Sequence, residues 1–393
     1  MSERNLDFDR VINRKGTKSL KFDFAARRGR PEDALPLWVA DMDFKTSSYV
    51  TEALSHMAEH GIFGYSDSEE NYFNALRGWM KQRHGWEVKE SWLIKTPGIV
   101  FALAMAIRAY TEEGDGVIIQ QPVYYPFSEV IKDNGRRLIN NPLVQDKDGN
   151  YHIDFVDFEE KLVRENVRLF ILCSPHNPVG RVWTRDELES LGDICAKHNV
   201  IVVSDEIHSD FVFEGEHHVF STVKDSFGDN CIVCTSPSKT FNLAGLQISN
   251  IFIKNRELRK KFRAQVSMSG YSQVGLAGLV ACEAAYLHGG EWFDAVLRYI
   301  RDNAIFAKDY IERNISGIKM SGHEGTYLIW LDFRSYGLDD KELERRILYD
   351  AGLWLDGGSM FGADGQGFQR INIACPRVIL KEALERLKAV FAG

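Results

Sequence analysis

Cys231-Ile-Val-Cys-Thr-Ser-Pro-Ser-Lys-Thr-Phe241 sets an apolar, strand-forming run against a polar turn that carries a lysine. The run Cys231–Thr235 reads as a strand buried on both faces. Comparable runs stand at Ser91–Lys95, Gly116–Gln120, Arg168–Ser174, Val200–Ser204 and Ile248–Ile253. Helical stretches lie between them, among them Ile99–Thr111 and Arg185–Lys197. The second opens on a capping-box pattern, Thr184 followed by Glu187. Buried strands alternating with helices predict an α/β fold with a mostly parallel sheet covered on both faces. In such sheets ligands bind beyond the carboxyl ends of the strands, which is where the sequence puts Lys239.

A chain of 393 residues exceeds what one small core organises. The α/β texture of a large domain runs over residues 46–290. From about Glu291 the pattern changes to a long helix reaching about Asn314, strands near Tyr327–Phe333 and Phe368–Ala374, and a closing helix from about Leu380. This predicts a smaller α+β domain over residues 291–393. Residues 1–45 lack a core of their own and are expected to lie against the small domain or a partner subunit.

Hydrophobic residues at 44% and charged residues at 26% describe an ordinary globular enzyme. A net charge of -8 argues against nucleic acid and against an anionic membrane surface. No apolar run reaches the roughly 18 residues needed to cross a bilayer. The start, MSERNLDFDR, has no secretory apolar segment, so a cytoplasmic location is expected. The six cysteines sit mostly in apolar runs and read as reduced core thiols. Cys231 and Cys234 form a CxxC only formally, since no second pair follows at zinc spacing, and no metal site is expected.

Polar residues cluster at the strand ends. Lys239, if desolvated at a strand mouth, acquires a nucleophilic amine; taken alone it equally suits a surface lysine after a strand. Ser236 and Ser238 offer hydroxyls to a phosphate. Asp205 is the first acid after the Val200–Ser204 run. A carboxylate there keeps a pyridine nitrogen protonated, which makes the ring an electron sink in pyridoxal-phosphate chemistry. Taken alone, Asp205 equally suits a helix N-cap and His208 a loop histidine. Asn177, in Cys173-Ser-Pro-His-Asn-Pro-Val-Gly180, has its amide held by a rigid turn, or is simply a turn residue. Thr96-Pro-Gly98 leads into a helix whose first N–H groups suit a phosphate, with Gly98 letting the backbone approach. Tyr124 can stack on an aromatic ring or serve as a buried aromatic. Arg370, in the apolar strand Phe368–Ala374, needs a partner: a substrate carboxylate or a structural ion pair.

Taken together, TPG at Thr96, PVYY at Pro122, SPHNPVG at Ser174, SDEIH at Ser204, SPSKTFNLAGLQ at Ser236 and RINIACPR at Arg370 resemble the aspartate-aminotransferase-fold (fold type I) pyridoxal-phosphate enzymes. Leu37-Trp-Val-Ala-Asp-Met-Asp-Phe44, Gly64-Tyr65, Glu324-Gly-Thr-Tyr327 and the Arg-Lys-Gly-Thr segment at Arg14–Thr17 are similar to the MalY/PatB branch of bacterial cystathionine β-lyases. The resemblance covers nearly the whole chain from about Asn13.

It implies a PLP-dependent transferase-like fold and a carbon–sulfur β-lyase acting on cystathionine or other cysteine S-conjugates. It also implies site roles. Lys239 bears pyridoxal 5'-phosphate covalently and later serves as general base. Asp205 pairs with the ring nitrogen, and Asn177 and His208 hold the 3-oxygen. Tyr124 stacks on the ring. Ser236, Ser238, Gly98 and the backbone N–H groups of Ile99 and Val100 hold the phosphate. Tyr65 reaches the phosphate of the neighbouring subunit, so the sites are shared within a homodimer. Arg370 takes the carboxylate of the amino-acid substrate, with Tyr65, Tyr124 and Ala40 beside it, and Trp38 and Tyr327 complete the pocket wall.

His208 stands where many aminotransferases have Tyr, and Gln247 where many have a phosphate-binding Arg; both favour the lyase branch. An aminotransferase using the same residues is the alternative. A cofactor-binding regulator fused to a DNA-binding domain is disfavoured by the acidic balance.

Overall fold

A computed structural model describes residues 6–392. Its main sheet has seven strands: β1 Leu93–Thr96, β2 Gly116–Ile119, β3 Arg137–Asn140, β4 Val167–Cys173, β5 Ile201–Asp205, β6 Cys231–Thr235 and β7 Ser249–Phe252. Their spatial order is β1-β7-β6-β5-β4-β2-β3. The pairings among β3, β2, β4, β5 and β6 are all parallel. β7 alone runs against both its neighbours, β6 and β1. The expected mostly parallel sheet is present.

Alternation along each strand explains how one sheet builds two cores. Ile118, Phe170, Leu172, Val202 and Val233 face one apolar layer. Val117, Ile119, Leu169, Ile171, Val203 and Ile232 face the other, beneath the helix Ile99–Tyr110. With helices on both faces, every central strand residue can be apolar. The helix Arg185–Lys197 starts on the expected capping box, with the Thr184 side chain accepting from Glu187 N–H and the Glu187 side chain accepting from Thr184 N–H. All six cysteines are buried and free.

A long helix, Gly290–Asn314, leads to a second, four-stranded sheet. It comprises β8 Lys319–Met320, β9 Leu328–Asp332, β10 Asp356–Gly357 and β11 Phe368–Asn372, in the order β8-β9-β11-β10, with all pairs antiparallel. The helix Arg377–Phe391 packs against the long helix Gly290–Asn314 and begins slightly before the expected Leu380. The N-terminal segment attaches to this part of the chain: Leu35–Pro36 pairs in parallel with Leu353–Trp354. Further out, Phe8 packs on Phe44 and Tyr299, with ring centroids at 5.2 and 5.5 Å. Among the described residues no helix is long and apolar enough to cross a membrane.

Candidate active site

The carboxyl ends of β4, β5 and β6 and the start of the helix Ile99–Tyr110 open onto one cleft with an interior of about 150 Å³. Ten of the expected residues meet there with Ala40: Gly98, Ile99, Val100, Tyr124, Asn177, Asp205, His208, Ser236, Ser238 and Lys239. They come from separate chain segments, which the main sheet and the N-terminal segment bearing Ala40 bring together.

Lys239 lies in a short helical turn, Pro237–Thr240, directly after β6. Its Nζ donates to the Ala40 carbonyl at 2.7 Å. Burial, aided by the nearby Arg370 charge and opposed by Asp41 and Asp205, draws the amine down to about 8. A sizeable neutral fraction is therefore present near neutral pH. Asp205 ends β5, and burial pushes its carboxyl up to about 7. Its hydrogen-bond partner is the Ile207 N–H at 3.1 Å, not a cation. A buried carboxyl of this kind gains from a cationic group placed against it. Burial, together with the Lys239 and Arg370 charges, holds His208 neutral, and its Nδ1 is buried without a hydrogen-bond partner.

The helix Ile99–Tyr110 starts without a side-chain cap, so its first N–H groups stay available. A Cβ placed on Gly98 would meet no atom within 4 Å. This open, uncapped helix start beside Ser238 and Gln247 suits an anion. The Ser236 hydroxyl is already engaged: it donates to the Ile248 carbonyl at 2.7 Å and accepts from Ser238 N–H at 3.1 Å. Its hydrogen bonds hold the lysine turn together, and Ser236 lines the cleft beside Ser238.

Arg370 stands just behind the cleft on β11. Nη2 pairs with Asp356 and donates to the Trp38 carbonyl at 2.9 Å, while Nη1 donates to Asn177 Oδ1 at 3.0 Å. The ion-pair alternative is thus realised within the chain. Arg370 Nε remains buried without a partner. Tyr65 is fully exposed and apart from the cleft of its own chain. Trp38 stacks on Trp354 at 4.5 Å, and Tyr327 donates its hydroxyl to Ala40 O at 2.9 Å. Neither is among the residues lining the cleft, though Tyr327 reaches the same Ala40 carbonyl as Lys239.

Cys173, Gln247 and Ser249 also line the cleft. Ser249 opens β7, whose reversed direction has no signature in the sequence; a run of four buried residues reads the same either way. Together, a nucleophilic amine, a carboxyl short of a cation, a neutral imidazole with a free nitrogen and an anion-ready helix start fit pyridoxal phosphate.

Known proteins agree with this geometry. Residues 32–387 match the family model of aminotransferase class I and II. The chain is 45% identical to cystathionine beta-lyase PatB of Bacillus subtilis, over 98% of this chain and 100% of that one. It is 33% identical to protein MalY of Escherichia coli, over 97% of each. Cystalysin from Treponema denticola, whose crystal structure contains a pyridoxal 5'-phosphate cofactor, superposes with a TM-score of 0.94 at 40% identity, over 98% of each chain. The chain belongs to the aminotransferase class I and II family.

Proposed function

We propose that the chain is a pyridoxal-phosphate-dependent carbon–sulfur β-lyase. It cleaves cystathionine or another cysteine S-conjugate to a thiol, pyruvate and ammonia. The observation that carries this reading is the Lys239 amine, lowered to about 8 and held against Ala40 O between Asp205 and the uncapped helix start. The full-length likeness to cystathionine β-lyases supports the reaction.

Lys239 would hold the cofactor, with Asp205 serving its ring nitrogen, His208 and the Asn177 amide its 3-oxygen and Tyr124 its ring. Ser238 and the N–H groups of Ile99 and Val100 hold the phosphate. When bound, pyridoxal phosphate supplies a sink for the electron pair left at the substrate Cα. The Lys239 amine would take the substrate Cα proton as general base. The Cβ–S bond breaks with its electron pair on sulfur, and water is consumed as pyruvate and ammonia leave. Arg370 orients the carboxylate through its unpaired Nε.

The reading includes a homodimer, in which Tyr65 reaches the partner's phosphate site, and a cytoplasmic location. It also divides the chain into an arm over residues 1–45, a large domain over 46–290 and a small domain over 291–393.

The test is to supply L-cystathionine to protein loaded with pyridoxal phosphate and to assay pyruvate and free thiol. Equal amounts of pyruvate and homocysteine, lost in Lys239→Ala together with the visible cofactor band, are expected. Amino-group transfer to an added keto acid without pyruvate would replace the lyase with an aminotransferase.

A further inference from the structure

The segment that presents Ala40 to Lys239 carries a cluster of paired charges on its far side. Arg14 Nη2 lies 2.7 Å from Asp41 Oδ2, and its Nη1 lies 2.7 Å from Asp43 Oδ1. Lys21, fully buried, sets Nζ 2.8 Å from Asp43 Oδ2 and 3.8 Å from Asp41 Oδ1. Two cations from the N-terminal arm thus meet two carboxylates. A buried ammonium survives only with such pairing. Arg14 also donates to the Met42 carbonyl at 3.2 Å.

The same segment is gripped from two other directions. Asn242, in the loop just after Lys239, accepts from Met42 N–H and donates back to Met42 O, both at 2.9 Å. Asn372 on β11 donates to the carbonyls of Val39 at 2.6 Å and Asp41 at 2.5 Å. The remaining contact is with the active site, where Ala40 O accepts from both Lys239 Nζ and the Tyr327 hydroxyl. The arm, the lysine loop and the small sheet therefore all set the position of one carbonyl.

We propose that Arg14 is a positioning residue for Lys239: by pairing with Asp41 and Asp43 it fixes the Ala40 carbonyl against the lysine nitrogen and limits how much of the Asp41 charge that nitrogen feels. This rests on Lys239 being the cofactor-bearing lysine. The other charged or titratable groups facing that nitrogen are Asp205 from β5, His208 from the loop after it, Arg370 from β11 and the Tyr327 phenol. None of the four is hydrogen-bonded to Arg14 or to the Asp41 carboxylate, whose partners are Arg14 and Lys21. Asp41 is among the charges that act on Lys239, and it favours the protonated form.

The sign follows from the charges. Removing Arg14 leaves Asp41 less compensated and strengthens its pull on a proton at the lysine nitrogen. Neutralising Asp41 does the opposite. A merely structural lesion has no reason to move the two in opposite directions.

The experiment is a pH titration of the visible cofactor band in loaded wild type, Arg14→Gln, Arg14→Lys and Asp41→Asn. The midpoint should rise in Arg14→Gln and fall in Asp41→Asn, each by about half a unit to one unit. Arg14→Lys should stay near wild type. A normal wild-type band with midpoints that do not move, or that move in the same direction, would overturn the proposal while leaving the cofactor reading intact. A loaded wild type without the band would overturn the cofactor reading and the proposal with it.

Discussion

Arg370 Nη1 donates to Asn177 Oδ1 across 3.0 Å, which joins a strand of the small sheet to the loop after β4. The bond takes the oxygen of the amide and leaves its NH2 group free to donate. One guanidinium therefore orients the amide proposed to hold the cofactor and keeps unpaired the Nε proposed to take the substrate carboxylate.

Arg370→Lys is the first test of that double role. A lysine keeps the charge beside Asp356 but cannot serve Asn177, Trp38 O and a carboxylate from one planar fork. Loss of a hydrogen bond to a charged group costs about 1.5–3 kcal/mol, so kcat/KM should fall roughly 10- to 100-fold. Most of the loss should appear in KM for the amino acid. An unchanged KM would remove Arg370 from substrate binding and leave it the structural ion pair with Asp356.

How far the sequence carried the fold depends on which signal each element leaves. β6 is bounded as its apolar run predicts, because five buried residues in a row end at a serine and a proline. β3 escaped because Arg137-Leu-Ile-Asn140 is a short edge strand with one exposed and one half-buried end and carries little apolar signal. The helix Pro126–Asp133 is eight residues long and too brief to stand out by period. The site was legible because its residues stand at strand ends, and strand ends are readable. Which hydroxyls are free was not: Ser236 and Ser238 are alike in sequence, and only the nearby Ile248 carbonyl distinguishes them.

That difference yields a paired prediction. Ser236→Ala removes an N-cap acceptor and a buried donor to Ile248 O, so it should cost about 1 kcal/mol of stability or somewhat more. Ser238→Ala removes a hydroxyl facing the cleft. It should leave the thermal midpoint nearly unchanged and raise the dissociation constant for pyridoxal phosphate several-fold. Calorimetry and equilibrium dialysis separate the two. Equal effects from both variants would contradict the assignment of Ser236 to the scaffold.

Asp205 makes stability depend on pH in the cofactor-free chain. Its folded carboxyl titrates at about 7, against about 3.9 for an unperturbed side chain. The folded state therefore binds more protons between those values. The stabilising contribution is present below about pH 4 and is lost as pH rises to about 7, roughly 4 kcal/mol in all. Asp205→Asn keeps the shape without the titration. Its stability advantage over wild type should grow from pH 4 to pH 7 and then level off, as read by urea unfolding at each pH. Parallel curves for the two proteins would mean that burial does not raise this carboxyl. With the cofactor bound, the same variant should lose most of its activity, since a neutral amide cannot keep a ring nitrogen protonated.

Tyr65 provides the sharpest test of the shared site. It is wholly exposed in the single chain, as a residue that works in a partner's cleft would be. In a two-fold dimer each site would then take Lys239 from one subunit and Tyr65 from the other. Lys239→Ala and Tyr65→Ala homodimers should each have little activity. Unfolded together and refolded as an equal mixture, about half the dimers are hybrids, and each hybrid holds one site with both residues intact. Activity should return to about a quarter of wild type, because half the dimers each carry one working site of two. A cleft that takes both residues from the same chain would also give hybrids, but every site would lack one residue and no activity would return. The mixing experiment therefore distinguishes a subunit-spanning site from a self-contained one without any structure of the dimer.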